Sequence, residues 1–284
     1  MLHSFDHVVI AVRDLEDATQ RYSSLLGRAP SWRGRHPDAG TANTLFRLAN
    51  CYLELLAPTG SGGAVAATLD RSGEGVLAAC FATDDAEAFA SGAGARGLDA
   101  ADPSAGEGRS DDSDAVRRWR TVMLHPKSTR GLTLFAIEHQ SPDDALPVAE
   151  PTSPSAGCVR ALDHIVVSTR DIESTGAIYR DALGLRLALD RSFEARGMRM
   201  MFFRVGGVTV EVVGSLEKPE DPSARDEFGG LAFQVPDAAA AQRRLAEADL
   251  DVSDVRAGQK PGTRVFTVRS GTCGVPTLII EPTG

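Results

Sequence analysis

The chain has 284 residues, of which 42% are hydrophobic and 24% charged, and its 30 basic and 39 acidic side chains leave a net charge of −9. That length suits about two domains of roughly 150 residues each, and the acidic balance argues against nucleic acid or anionic lipid as a partner. No run approaches the roughly 18 apolar residues of a membrane span, so no membrane role is expected. The N-terminus enters "FDHVVIAV" without the basic, apolar and cleavage regions of a signal peptide. Cys51, Cys80, Cys158 and Cys273 are scattered, with no CxxC spacing and no disulfide framework. A cytoplasmic protein is the expectation.

In chain order, "DHVVIAV" is short and β-branched, as a buried strand is. "DLEDATQRYSSLLG" opens on Asp14 as an acidic N-cap and puts Leu15, Ala18, Tyr22, Leu25 and Leu26 on one stripe. It stops at Gly27. "NTLFRLA" and "CYLELLAP" then alternate about a turn at Ala49–Asn50, as antiparallel strands do. "GSGG" and "GEG" read as isolated glycine turns, with no phosphate loop or dinucleotide fingerprint. "VLAACFATDDAEAFASGAGARGL" repeats strand, acidic cap, helix and glycine. In "GRSDDSDAVRRWR", a charged loop leads into a strand, and Arg117, Arg118 and Arg120 read as a solvated face. Trp119 suits either packing or stacking on a ligand.

"SPDDALPVAEPTSPSAG" (141–157) reads as a linker. Past it the sequence restarts. At an offset of 164 − 7 = 157, Asp6, His7, Val9, Arg13, Asp14, Glu16, Tyr22, Leu26 and Gly27 all recur. The same offset pairs Arg47 with Arg204 and Glu54 with Glu211. This is an internal duplication. "LAFQVPDAAAAQRRLAEADL" supplies a fourth strand–helix unit. Domains are expected at 1–140 and 160–284, with a linker at 141–159.

"DHVVIAVRDLEDA…LLG" with "YLELL", and "DHIVVSTRDIEST…YRDALGL" with "VTVEVV", resemble the vicinal oxygen chelate superfamily of glyoxalase I, extradiol dioxygenases and bleomycin-binding proteins. "GRHPDAGTAN" and "WRTVMLHP" look like a glyoxalase-like subgroup of it. The resemblance implies an α+β fold of four βαβββ modules, building two tandem half-open barrels. It implies metal ligands at His7 and His164 on the first strands, Glu54 and Glu211 on the module-closing strands, and Glu138 and Glu281 on the last strands. Modules are expected to pair within each half, which the linker allows; pairing across halves, the alternative, would join His7 and Glu54 to Glu281, and His164 and Glu211 to Glu138. Seven residues before Asp85 and Asp237, where dioxygenases carry a histidine, stand Ala78 and Gly230. This demotes a dioxygenase to third place.

One imidazole and two carboxylates, twice over, suit a divalent ion (Fe, Mn, Ni, Co, Zn or Mg) acting as a Lewis acid towards two adjacent substrate oxygens. A free glutamate would then shuttle a proton. The expected function is a lyase or isomerase acting on a small oxygenated organic molecule. The alternative is a metal-free protein that sequesters a small molecule, of bleomycin-resistance type. A carboxylate in mid-strand needs a partner, and either a metal or Arg47 or Arg204 would serve. His36 and Asn43 are candidates to rim the first cup, with Arg47 and Trp119 as further substrate contacts. In the second cup Phe193 and Met200 replace His36 and Asn43 and give an apolar wall. Exposed sheet edges allow a homodimer.

Overall fold

A computed structural model describes residues 1–283 apart from 153, 154, 218–220 and 222. Two residues of the expected linker, 153 and 154, therefore lie outside the described residues. The first half runs β1 (Leu2–Ala11), α1 (Leu15–Leu26), β2 (Trp32–His36), β3 (Thr41–Arg47), β4 (Tyr52–Pro58), α2 (Ala64–Ser72), β5 (Gly75–Thr83), α3 (Ala86–Ala93), β6 (Ser104–Ser110), β7 (Val116–Met123) and β8 (Thr133–His139). The second half runs β9 (Ala161–Thr169), α4 (Ile172–Ala177), β10 (Arg186–Phe193), β11 (Met198–Val205), β12 (Val208–Ser215), β13 (Glu227–Gln234), α5 (Ala238–Glu247), β14 (Arg256–Ala257), β15 (Arg264–Val268) and β16 (Thr277–Glu281). Four modules result, joined within each half by the antiparallel pairs β1–β5 and β9–β13. Among the described residues, no helix is long and apolar enough to cross a membrane.

Each module helix begins where an aspartate satisfies free backbone donors. Asp14, Asp85, Asp171 and Asp237 accept from Asp17, Ala88, Ser174 and Ala240 respectively. Gly27 closes α1 with φ 67°, a left-handed position that suits glycine. The helices lie outside the sheets and press their apolar stripes on them. Ala18, Tyr22, Leu25 and Leu26 of α1 are all buried.

The halves close differently. In the first, the order β1-β4-β3-β2-β6-β7-β8-β5 is a closed barrel, whose last seam is the pairing of Gly34 with Ser110 and Arg35 with Arg109. Glycine is needed at 34 because a Cβ there would lie 2.3 Å from the Arg109 carbonyl oxygen. The second half stays an open sheet, β10-β11-β12-β9-β13-β16-β15-β14, with β10 and β14 as edges.

The halves share one apolar core that runs from Phe5 and Tyr22 to Phe203 and Phe266. Tyr22 donates its hydroxyl to the Thr272 carbonyl across the boundary at 3.1 Å. The segment read as a linker is tied down: Ala149 N donates to Arg47 O, Thr152 N to Gly27 O and Val159 N to Leu26 O. Leu146 packs with Trp32, Leu45 and Tyr52. A helix, α2, lies between the two expected glycine turns, with Gly63 and Gly73 at its ends. Its Ala66 and Leu69 are buried, an amphipathic signal that the flanking glycines obscured.

Candidate functional site

The first barrel encloses a cavity of about 440 Å3, a volume suited to a small molecule. Strand alternation turns His7 and Val9 of β1, Asn43 of β3 and Glu54 of β4 into it, and α2 borders it through Ala64 and Thr68. Ala78, small where the resemblance would have a histidine, leaves room on β5.

His7 is 3% exposed. Its ring stacks on Tyr52, with centroids 4.4 Å apart, and meets the edge of Phe135. Its Nδ1 lies 2.6 Å from Asp6 Oδ1, which fixes the Nδ1 proton and leaves the Nε2 lone pair directed at Glu54. His7 Nε2 and Glu54 Oε2 are 3.5 Å apart, longer than a hydrogen bond. The other Asp6 oxygen takes His139 Nε2 at 2.8 Å. Burial alone would raise the Asp6 carboxyl, but hydrogen bonds from His139 and His7, with their charges, outweigh it and hold it well below the usual carboxylate range.

Among the described residues Glu54 is partnered by an amide rather than an arginine: Asn43 Nδ2 donates to Oε1 at 2.8 Å. Asn43 Nδ2 also lies 3.3 Å from His36 Nε2, and His36 Nδ1 lies 3.0 Å from Thr41 Oγ1. His36 therefore accepts at Nε2 and carries its proton on Nδ1. His36 also packs edge-on against Trp119. The expected His7, His36, Asn43, Glu54 and Trp119 thus come together. Asn43 Oδ1 is left buried with no hydrogen-bond partner among the described residues.

Glu138 and Glu281 do not join them. On β8, Phe135 and Ile137 face the cavity, so Glu138 points outward and accepts from the first backbone N–H of α3, at Ala86, at 2.8 Å. Glu281 does the same for α5 at Ala238, again at 2.8 Å, and also takes Arg264. Both cap helices. Register explains the correction. In β1–β4, Val9 stands opposite Glu54, and in β5–β8 the matching Cys80 stands opposite Phe135. In the second half Val166 faces Glu211, and Ala232 faces Leu278. The inward positions on the last strands are therefore apolar.

Arg47 lies past the cup, where its guanidinium donates to the main-chain oxygens of Asp143 and Leu146. Arg204 is exposed. In the open half, His164 Nδ1 binds Asp163 at 2.8 Å and Nε2 lies 3.6 Å from Glu211 Oε2. Burial raises the Glu211 carboxyl, and His164 only partly opposes this. Met200 offers no amide there, and Phe193 packs under Arg191.

Three potential metal donors, from Asp6, His7 and Cys80, lie within 4.8 Å of one another. They do not fit an ion as they stand. Asp6 and His7 Nδ1 already bind each other. Burial, with the charges of Asp6 and Glu54, pushes the Cys80 thiol well above its usual range. His7 Nε2 and Glu54 make a second candidate pair, one short of the three protein ligands that an ion with open positions usually has.

Sequence reasoning missed Asp6, His139 and Arg117. The Asp6–His7 doublet recurs as Asp163–His164, which was a usable signal. "VRRWR" alternates, and its parity puts Arg117 on the same face as Trp119. Arg117 is 8% exposed and borders the cup, contrary to the solvated face expected, whereas Arg118 and Arg120 do point outward to Glu107 and Glu87.

Known proteins give the following likenesses. A glyoxalase-like domain model matches residues 5–157, and a model of the glyoxalase/bleomycin resistance protein/dioxygenase superfamily matches 163–267. An ethylmalonyl-CoA/methylmalonyl-CoA epimerase from Cereibacter sphaeroides is 31% identical over 135 residues, which are 46% of this chain and 94% of that protein. A mutant 4-hydroxymandelate synthase from Streptomyces coelicolor superposes with a TM-score of 0.72 at 17% identity, covering 100% of this chain and 94% of that one. A methylmalonyl-CoA epimerase from Streptomyces coelicolor, in complex with 2-nitronate-propionyl-CoA, is 26% identical over 50% of this chain and 100% of that one, with a TM-score of 0.42.

Proposed function

Since the chain belongs to the glyoxalase/bleomycin resistance/dioxygenase superfamily, as two tandem domains of it, we propose that its first barrel is an isomerase or lyase site that moves a proton on a small oxygenated organic molecule. The observation that carries this is the His7–Glu54 pair, buried at 3.5 Å beside the barrel cavity. Asp6 holds the Nδ1 proton of His7 and would stabilise the imidazolium formed when Nε2 takes a proton from substrate carbon. Asn43 steadies Glu54 through Oε1. The proton would pass from His7 Nε2 across the 3.5 Å gap to Glu54 Oε2, which would deliver it to the neighbouring substrate atom and leave both groups as they began. Groups this close act from one side of a substrate. That suits a shift between neighbouring atoms, or elimination, better than inversion at one carbon, which needs groups on opposite faces.

Members of this superfamily are typically metal-dependent. An ion here would have His7 and Glu54 as its protein donors and would supply Lewis-acid stabilisation of a developing oxyanion. The donor set falls short of that, so no step is assigned to it. The same shortfall favours, as second reading, a metal-free binding protein.

One experiment separates the two. Small hydroxycarbonyl compounds are incubated with the protein in D2O and followed by NMR. The enzyme reading expects deuterium to enter at a carbon beside oxygen, and expects loss of exchange in His7→Gln and Glu54→Gln. Compounds that bind but never exchange would leave only the binding reading.

A further inference from the structure

Arg117 is a buried cation without an anion. It projects from β7 on the face shared with Trp119 and borders the cup. Its backbone pairs with β6, but its side chain makes no hydrogen bond or ion pair with any described residue, although the residue is only 8% exposed. Its guanidinium lies over the rings of Trp32 at 5.8 Å and Tyr52 at 5.6 Å. Cation–π contacts return part of what burial costs, but they leave the N–H donors without a protein partner among the described residues and open to whatever fills the cavity. Tyr52 is also the ring on which His7 stacks, and Arg117, His7 and Glu54 line the same cavity.

We propose that Arg117 anchors the carboxylate of the molecule that occupies the first barrel, which makes its ligand an organic acid. The planar fork of one guanidinium matches a carboxylate in two parallel hydrogen bonds. A phosphate dianion would meet the Glu54 carboxylate with only one cation to balance it. Arg117 also borders a neighbouring cavity of about 380 Å3, lined by the carboxylates of Asp6 and Asp143 together with Arg47 and His139. There Arg47 already donates to main-chain oxygens and His139 is bound to Asp6, which makes it the poorer place for an anion. The orphaned Asn43 Oδ1 adds a second requirement: the acid carries an O–H or N–H donor. A hydroxycarboxylate meets both. The inference rests on the proposed function only in taking this cup as the working site.

The chain's two tryptophans are Trp32 and Trp119, one under Arg117 and the other facing the cup, so intrinsic fluorescence reports on this site. Phenyllactate, phenylpropionate, phenyllactamide and inorganic phosphate serve as probes. Phenyllactate should give a saturable change at millimolar concentration or below, phenylpropionate should bind more weakly, and the neutral amide should bind about tenfold more weakly or worse. Arg117→Met should abolish the preference for acid over amide, and Arg117→Lys should keep only part of it. No response to either acid, equal binding of acid and amide, an undiminished preference in Arg117→Met, or tighter binding of phosphate would each overturn the proposal. The acid–amide comparison on the unaltered protein decides the matter even if a variant fails to fold. Because binding is read without turnover, an acid that binds through Arg117 but never exchanges deuterium would remove the enzymatic reading and leave this one standing.

Discussion

His7 Nδ1 and Asp6 Oδ1 are separated by 2.6 Å, and the same aspartate takes His139 on its other oxygen. One carboxylate therefore sets the orientation and tautomer of the buried imidazole while it is itself held by a second histidine. Asp6→Asn preserves the shape but lets the amide favour the wrong tautomer. It should lower deuterium exchange by about a hundredfold or more, the lower end of what general base catalysis supplies, with little change in phenyllactate affinity. Equal losses in affinity and exchange would point to a packing role instead.

The outward turn of Glu138 leads to a contrasting expectation. Its carboxylate caps α3 at Ala86, so Glu138→Ala should cost about 1 kcal/mol of stability, typical of a lost helix cap, measured by urea denaturation. Ligand-induced fluorescence should be unchanged. A variant that lost ligand response at full stability would restore Glu138 to the site.

Metal removal tests the two-donor count directly. Protein dialysed against a chelator should keep its phenyllactate response and its exchange activity, and elemental analysis before dialysis should find less than one divalent ion per chain. A stoichiometric metal lost in His7→Ala would show that His7 and Glu54 recruit ligands from water or substrate.

The duplication made most of the fold legible. A single offset aligned Asp6 with Asp163 and Glu54 with Glu211, and the four capping aspartates marked the four module helices, though not α2. The first-strand histidines and Glu54 were readable because a polar residue in an apolar strand has few explanations. Glu138 and Glu281 were misread because "FAIEH" and "LIIEP" show a carboxylate in a strand without showing its parity, and parity follows from register with β5 and β13. Arg117 was hidden in a run of arginines whose inward and outward members differ only by alternation. Barrel closure at Gly34 depends on a backbone approach that sequence pattern does not encode.

The open half offers a prediction about acid stability. On its edge, Arg199 grips Asp190 with two hydrogen bonds, Nε to Oδ1 at 2.7 Å and Nη2 to Oδ2 at 2.6 Å. These hydrogen bonds hold the Asp190 carboxyl below its usual value against the opposing effect of partial burial, with help from the charge of Arg199. A carboxyl whose folded value is depressed stabilises the fold above the unfolded value of about 3.9 and loses that contribution as pH falls towards the folded value. The side chain is 33% exposed, so solvent screening limits the effect to less than about 1 kcal/mol. Asp190→Asn should therefore melt slightly below the unaltered protein at pH 7, with the two curves converging as pH drops below about 4. A gap that persisted unchanged into acid would mean that the loss comes from strand packing at the β10 edge rather than from the ion pair.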